Sequence, residues 1–221
     1  MTTDFALYVI TDREHTRGRP LSTVVADALR GGAGAVQLRE KDLPPRDLYP
    51  LAVELRALTR QFGARLLIND RIDVALAVEA DGIHLTTASL PTAVARRLVG
   101  PTRLIGVSTH NLAEARAAAE GGADFLVFGP VFFTPSKAPY GEPVGLAALR
   151  AVCAAVPLPI LAIGGIKTAN LAQAMEAGAE GIAVISAVVA ADDPAAASRD
   201  LLAALEAWRV KRGGGRTEGR R

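Results

Sequence analysis

The sequence predicts a single-domain α/β protein folded as a (β/α)8 TIM barrel, and three observations predict it. Eight short apolar runs alternate with longer alanine-rich amphipathic stretches. The later runs, such as LLIND, LIGVST, FLVFGP, ILAIGG and IAVISA, are apolar almost throughout. Continuous apolarity suits parallel strands covered by helices on one face and by a packed barrel interior on the other. Four related segments, GGAGAV, EADGIH, GGADFL and AGAEGI, recur where a helix should stop and a strand begin. Glycine there supplies the left-handed residue that ends a helix, so the repeat argues for fold and not for function. The 221 residues suit one such domain with a full core.

Taken in order, the expected strands are Phe5–Thr11, Ala35–Arg39, Arg65–Asp70, Gly82–Leu85, Leu104–Thr109, Phe125–Pro130, Pro159–Gly165 and Gly181–Ala187. Each is a run of four or more mostly apolar residues closed by polar or turn residues. Helices are expected over Leu21–Gly31, Pro45–Phe62, Arg71–Glu79, Leu90–Val99, Leu112–Glu120, Leu146–Ala155 and Ala169–Ala177, with a last one from Pro194 to Arg209. Right-handed crossovers between successive strands allow the eight units to close. Residues 1–209 therefore read as the barrel. Residues 210–221 read as a disordered basic tail, being glycine-rich, charged and without apolar anchors.

Half of the residues are hydrophobic and aromatics are few, so alanine, leucine and valine must do the packing. The formal charge of +2 owes its sign to Arg209, Lys211, Arg212, Arg216, Arg220 and Arg221. Without them the body is mildly acidic, which argues against a nucleic-acid partner. The single cysteine, Cys153, excludes an internal disulfide and a thiolate metal cluster. It lies in an apolar helical stretch and reads as a structural thiol. No signal-like start and no membrane-length apolar run is present, so a cytoplasmic location is expected and no membrane partner. The expected partners are small phosphorylated molecules, with homo-oligomerisation left open.

In such a barrel the working groups sit at the C-terminal ends of the strands and on the loops beyond. The second strand ends in Gln37, Leu38, Arg39, Glu40 and Lys41. Alternation points Gln37 and Arg39 the same way, inward, with Lys41 just above. Two cations at a strand mouth suit a diphosphate; a salt bridge of either to Glu40 or Asp42 is the plainer alternative. The third strand ends in Asn69 and Asp70, which suit a polar cavity and a Mg2+ ion beside phosphate, or else cap the next helix. Ser108, Thr109 and His110 end the fifth strand. The hydroxyls can bind phosphate and His110 can bind ligand or move a proton, while Asn111 is the better cap. His84, inside the fourth strand, reads as a packed histidine, and His15 as a solvated one. After the sixth strand, Thr134, Pro135, Ser136 and Lys137 lie on a long loop expected to fold over a phosphate. Gly164 and Gly165 at the end of the seventh strand, and Ile185 and Ser186 in the eighth, occupy the usual place of a backbone phosphate site.

VQLREK, LIND, ADGIHL, IGVSTH, FGPVFFTPSK, AIGGI and GIAVISA together resemble the thiamine phosphate synthase family, in family order from about Leu7 to Leu205. The resemblance implies condensation of 4-amino-2-methyl-5-hydroxymethylpyrimidine diphosphate with thiazole phosphate, giving thiamine phosphate and diphosphate. Matched by motif, Gln37, Leu38, Arg39, Glu40, Lys41 and Asn69 would hold the pyrimidine diphosphate, with Ser108 and Lys137 on its phosphates. Thr134, Pro135, Ser136, Gly165, Ile185 and Ser186 would hold the thiazole phosphate. Arg39, Lys41, Ser108, His110 and Lys137 would carry the chemistry, and Asp70 would bind one Mg2+ per subunit. One departure stands out: where the family carries a second carboxylate ligand, this chain has Ser89. The departure admits two further readings. One is a thiazole tautomerase, a sister activity in which a histidine at the position of His110 moves the proton. The other is a non-catalytic barrel that binds thiamine precursors. The full set of Arg39, Lys41, Asn69, Asp70 and Lys137 favours the synthase.

Overall fold

The computed structural model describes residues 3–134 and 142–214. Its strands are β1 (Leu7–Ile10), β2 (Ala35–Leu38), β3 (Arg65–Asn69), β4 (Gly82–Leu85), β5 (Leu104–Thr109), β6 (Phe125–Phe128), β7 (Ile160–Ile163) and β8 (Gly181–Val184). All pair in parallel, each with the next, and β8 pairs with β1 to close the barrel. The helices are α1 (Leu21–Arg30), α2 (Pro45–Gln61), α3 (Ile72–Ala77), α4 (Thr92–Val99), α5 (Leu112–Glu120), α6 (Gly145–Ala155), α7 (Leu171–Glu176), α8 (Ser186–Val189) and α9 (Pro194–Gly214). The (β/α)8 fold expected from the sequence is the one observed.

Alternation along each strand divides the apolar residues into two shells. The outer shell, including Leu7, Val9, Val36, Leu38, Leu66 and Ile68, packs against the helices. The inner shell of Phe5, Tyr8, Ile10, Ala35, Leu67, Leu104, Phe125, Val127, Leu161 and Ala183 fills the barrel. Phe5 meets Phe125 edge-on with centroids 5.5 Å apart, and Tyr8 meets Phe125 at 5.7 Å. Full burial of such a side chain stabilises by about 1.5–3 kcal/mol. These rings also fill the lower barrel, so among the described residues the barrel interior opens toward the C-terminal end of the strands.

Several boundaries differ from expectation for local reasons. The eighth strand stops at Val184, and Ser186, expected within it, opens α8 instead. The third helix is shorter than expected because Glu79 turns left-handed, with φ of 51°. The fifth ends where expected, and Asn111 caps it by accepting from the Glu114 N–H at 2.9 Å. The last helix continues through residues 210–214, expected to be disordered; the Arg212 guanidinium lies over the Trp208 ring at 5.3 Å. Residues 215–221 of the expected tail lie outside the described residues. Cys153 is half-buried, and burial pushes its thiol up to about 11, consistent with a packing role.

Candidate active site at the C-terminal rim

A cavity of about 1050 Å³ opens at the C-terminal end of the barrel. Its floor is apolar: Ile10, Val127, Ile163, Ala183 and Ile185 continue the inner-shell rows of their strands. Its polar lining is mainly cationic and hydroxylic, with Arg39, Lys41, Lys167, Ser108, Thr134 and Ser186, and includes one carboxylate, Asp200. An apolar floor under a cationic rim suits flat heterocycles that carry phosphates.

Alternation sends Gln37 and Arg39 inward from β2, as expected, and both line the cavity with Lys41. The residues between them do not. Leu38 packs in the shell between strands and helices. Glu40 is buried and faces the loop after β1, where its carboxylate accepts from Thr11 Oγ1 at 2.6 Å and from the Arg13 N–H at 3.1 Å. Burial raises this carboxyl above the usual range, and the two hydrogen bonds work against that. Thr11 Oγ1 also accepts from the Arg39 N–H at 2.9 Å. Glu40 therefore clasps the β1 and β2 loops together and sets the backbone of Arg39. Neither its side chain nor that of Leu38 lines the cavity, so a substrate contact expected at these two positions falls to their backbone.

The salt-bridge alternative for Arg39 and Lys41 fails because Arg13 takes both acids. Its guanidinium donates to Asp42 Oδ1 at 3.0 Å and lies 3.7 Å from Glu40 Oε2. Arg39, Lys41 and Lys167 have no carboxylate partner among the described residues, although each stands on the cavity wall. Cations without carboxylate partners on the rim of one cavity suit an anionic ligand.

Asn69 lines the cavity, whereas Asp70 stands beside the wall. Asp70 has left-handed backbone, φ 58°, and caps no helix; the α3 N-cap is Arg71 without a side-chain cap bond. Its carboxylate instead accepts from Asn69 Nδ2 at 2.8 Å and from the Ser89 hydroxyl. Ser89 Oγ in turn accepts from the Thr86 N–H at 2.6 Å. Asn69 Oδ1 is buried without a partner among the described residues. One carboxylate, an unused amide oxygen and neighbouring hydroxyls can share a Mg2+ that keeps several waters and phosphate oxygens. No group of three acidic, histidine or cysteine side chains that could hold a metal occurs among the described residues.

Ser108 and His110 follow each other inward from β5, and both line the cavity. His110 is tied to Glu114, which accepts from its Nδ1 at 3.0 Å and from its N–H at 2.8 Å. Gly165 is held by two close approaches: with φ of 64°, a Cβ there would come 2.5 Å from the Phe133 carbonyl oxygen and 2.8 Å from the Phe132 Cβ. Its N–H has no acceptor among the described residues and can serve an anion. Gly165, Thr134, Ile185 and Ser186 meet on this side of the cavity, as the strand-end rule expects. Pro135, Ser136 and Lys137 lie outside the described residues.

Several wall residues escaped the sequence reading, among them Lys167, Phe133, Thr86 and Thr87. Lys167 lies two residues beyond Gly165, and the rule that singled out that loop could have found it. Phe133, Thr86 and Thr87 carry no charge and read as ordinary loop. His15 is exposed and bonds Asp12 at 2.9 Å, away from the site.

The family model described as Thiamine monophosphate synthase matches residues 7–188. A relative from Geobacter sulfurreducens is 57% identical over 202 residues, covering 91% of this chain and 95% of the relative. The thiamine-phosphate synthase of Chloroflexus aurantiacus is 51% identical over 208 residues, 94% of this chain and 96% of that one. Among solved structures, a thiamine phosphate pyrophosphorylase from Pyrococcus furiosus superposes with a TM-score of 0.85 at 41% identity, covering 92% of this chain and 96% of that one. With a rim of unpaired cations at the strand ends and this degree of likeness along nearly its whole length, the chain belongs to the thiamine monophosphate synthase family.

Proposed function

We infer that the protein is a thiamine-phosphate synthase, a transferase that joins 4-amino-2-methyl-5-hydroxymethylpyrimidine diphosphate to thiazole phosphate. One observation carries the reading: three cations without carboxylate partners, Arg39, Lys41 and Lys167, ring a single apolar-floored cavity. The methylene C–O bond of the pyrimidine breaks with both electrons leaving on diphosphate. The thiazole nitrogen lone pair then forms the new C–N bond. No protein nucleophile is needed. Arg39 and Lys41 neutralise the departing charge, Ser108 donates to it, and the apolar floor keeps water from the pyrimidine methyl cation. A Mg2+ ion held by Asp70 would add charge stabilisation to the same oxygens when bound. Lys137 is proposed to bind the diphosphate, and Thr134, Pro135, Ser136 and Gly165 to hold the thiazole phosphate. A cytoplasmic place for this chemistry is part of the proposal, and the unpaired Cys153 thiol suits a reducing compartment. Purified protein given both precursors and millimolar Mg2+ should release thiamine phosphate and diphosphate in equal amounts. Binding of both without product would indicate a non-catalytic barrel.

Lys167 extends the site on the thiazole side. Lys167→Ala should raise KM for thiazole phosphate about ten-fold, the cost of one charge-assisted contact, with little change in KM for the pyrimidine diphosphate. Steady-state kinetics with one precursor saturating measures each. An unchanged KM would place Lys167 outside the phosphate's reach.

The position of His110 on the wall beside Glu114 favours the tautomerase as a second reading. In a synthase, His110→Ala should lower kcat less than about ten-fold, since no obligatory proton transfer passes through it. A tautomerase would lose roughly a hundred-fold or more with its general acid–base group. Assays of condensation and of thiazole isomerisation on the same preparation separate the two.

A further inference from the structure

Beneath the rim, a polar chain crosses the barrel interior. Gln37 Nε2 donates to the Tyr8 hydroxyl at 3.0 Å, that hydroxyl lies 3.4 Å from His84 Nδ1, and His84 Nε2 lies 2.9 Å from Ser108 Oγ. Gln37, Tyr8 and His84 are all buried. The two ends, Gln37 and Ser108, line the cavity; the two middle members do not. Polar groups in such a place are costly unless each finds a partner, and apolar residues could fill the same space. The barrel even makes room for the imidazole: a Cβ on Gly106 would come 2.7 Å from His84 Nδ1 and 2.3 Å from the Phe125 ring.

The chain has two internally consistent polarities. The tyrosine hydroxyl has one proton, and a neutral imidazole has one. If Gln37 donates to Tyr8, Tyr8 donates to His84 Nδ1, the ring proton sits on Nε2, and Ser108 accepts it. The Ser108 proton is then free to point into the cavity. In the reverse order, Ser108 spends its proton on Nε2 and offers the cavity only lone pairs. Burial, aided by the nearby Arg39 cation, holds the imidazole down to about 3, so it carries one proton throughout the neutral range. Burial likewise keeps Tyr8 protonated. The rim collects anions through Arg39 and Lys41, and an anion beside Ser108 requires a donor there.

We propose that Tyr8 and His84 are positioning residues that fix Ser108 as a hydrogen-bond donor to the phosphate rim, with the amide oxygen of Gln37 left to accept from an amine at the opposite end. The proposal rests on the reading of the site as one for an aminopyrimidine diphosphate. It makes one buried chain sense both halves of that ligand. A ring bearing an oxo group instead of the amine would ask Gln37 to donate, and reversing the chain would turn Ser108 against the diphosphate.

Two measurements test it with inorganic diphosphate as the probe. Nitrogen-15 spectra of the full chain, with the His84 ring assigned, should show the proton on Nε2 with diphosphate bound. A proton on Nδ1 overturns the proposal, and this readout needs no variant. Tyr8→Phe should weaken diphosphate binding roughly ten-fold in the wild-type background and have no further effect in a Ser108→Ala background. An equal loss in both backgrounds would mean that Tyr8 acts through packing, and the proposal falls. A chain that passes both tests yet makes no thiamine phosphate would retain the relay and lose the synthase reading. One that makes thiamine phosphate but fails them would do the opposite.

Discussion

Arg39→Ala should lower kcat/KM for the pyrimidine diphosphate by about a hundred- to a thousand-fold and leave the affinity for thiazole phosphate nearly unchanged. The large effect follows from what Arg39 does not touch. Its guanidinium has no carboxylate partner among the described residues, because Arg13 engages Glu40 and Asp42. The full charge is available when diphosphate charge develops at the breaking C–O bond, in a cavity that excludes water on its apolar side. Only its backbone is tied down, through the Thr11 hydroxyl, which survives the substitution. The thermal midpoint should therefore move by less than about 2 °C, as befits a side chain outside the core. Arg39→Lys keeps the charge but loses the planar fork and should recover only part of the activity. Isothermal titration with each substrate, beside steady-state rates, separates the outcomes. Equal loss of both affinities would show that Arg39 supports the architecture of the rim and does not select the diphosphate.

How far the sequence revealed this arrangement depends on the scale of the interaction. The barrel was legible because each strand is a compact apolar run and each helix a longer amphipathic one, so local pattern and global fold agree. The inward set of Gln37 and Arg39 followed from alternation alone. The same alternation sends Leu38 and Glu40 outward, but carrying the motif over as a block assigned them to the substrate. α8 was hidden because Ser186–Val189 is apolar but for its serine and directly continues the run of β8. The relay was beyond reach for another reason. Tyr8 and His84 are 76 residues apart, each a lone polar residue in an otherwise apolar strand. Only closure of the sheet brings them together. The contact of Ser89 with Asp70 joins loops 19 residues apart, so the sequence showed the departure at position 89 without showing that its serine engages Asp70.

That contact makes the metal the most informative variable. Ser89 donates to Asp70 and receives the Thr86 N–H, so the protein partly satisfies a carboxylate that would otherwise wait for a cation. Asp70→Ala should cut synthesis by about a hundred-fold or more, since charge stabilisation at the leaving diphosphate is lost. Thiazole phosphate binding should survive, because Asp70 lies beside the Asn69 wall and away from Gly165. Loss of both would mean that the left-handed turn at Asp70, and not its charge, is what matters. Ser89→Asp is the converse experiment. It removes a donor from Asp70 and sets a second carboxylate against the first, which costs about 1 kcal/mol of stability without metal. With Mg2+ the pair becomes a two-carboxylate site, so the variant should gain thermal midpoint on Mg2+ addition where the wild type gains little. The Mg2+ concentration for half-maximal synthesis should fall roughly ten-fold, the worth of one added carboxylate ligand. If neither the midpoint nor that concentration responds, residue 89 does not face a metal, and the proposal that Asp70 holds Mg2+ falls with it.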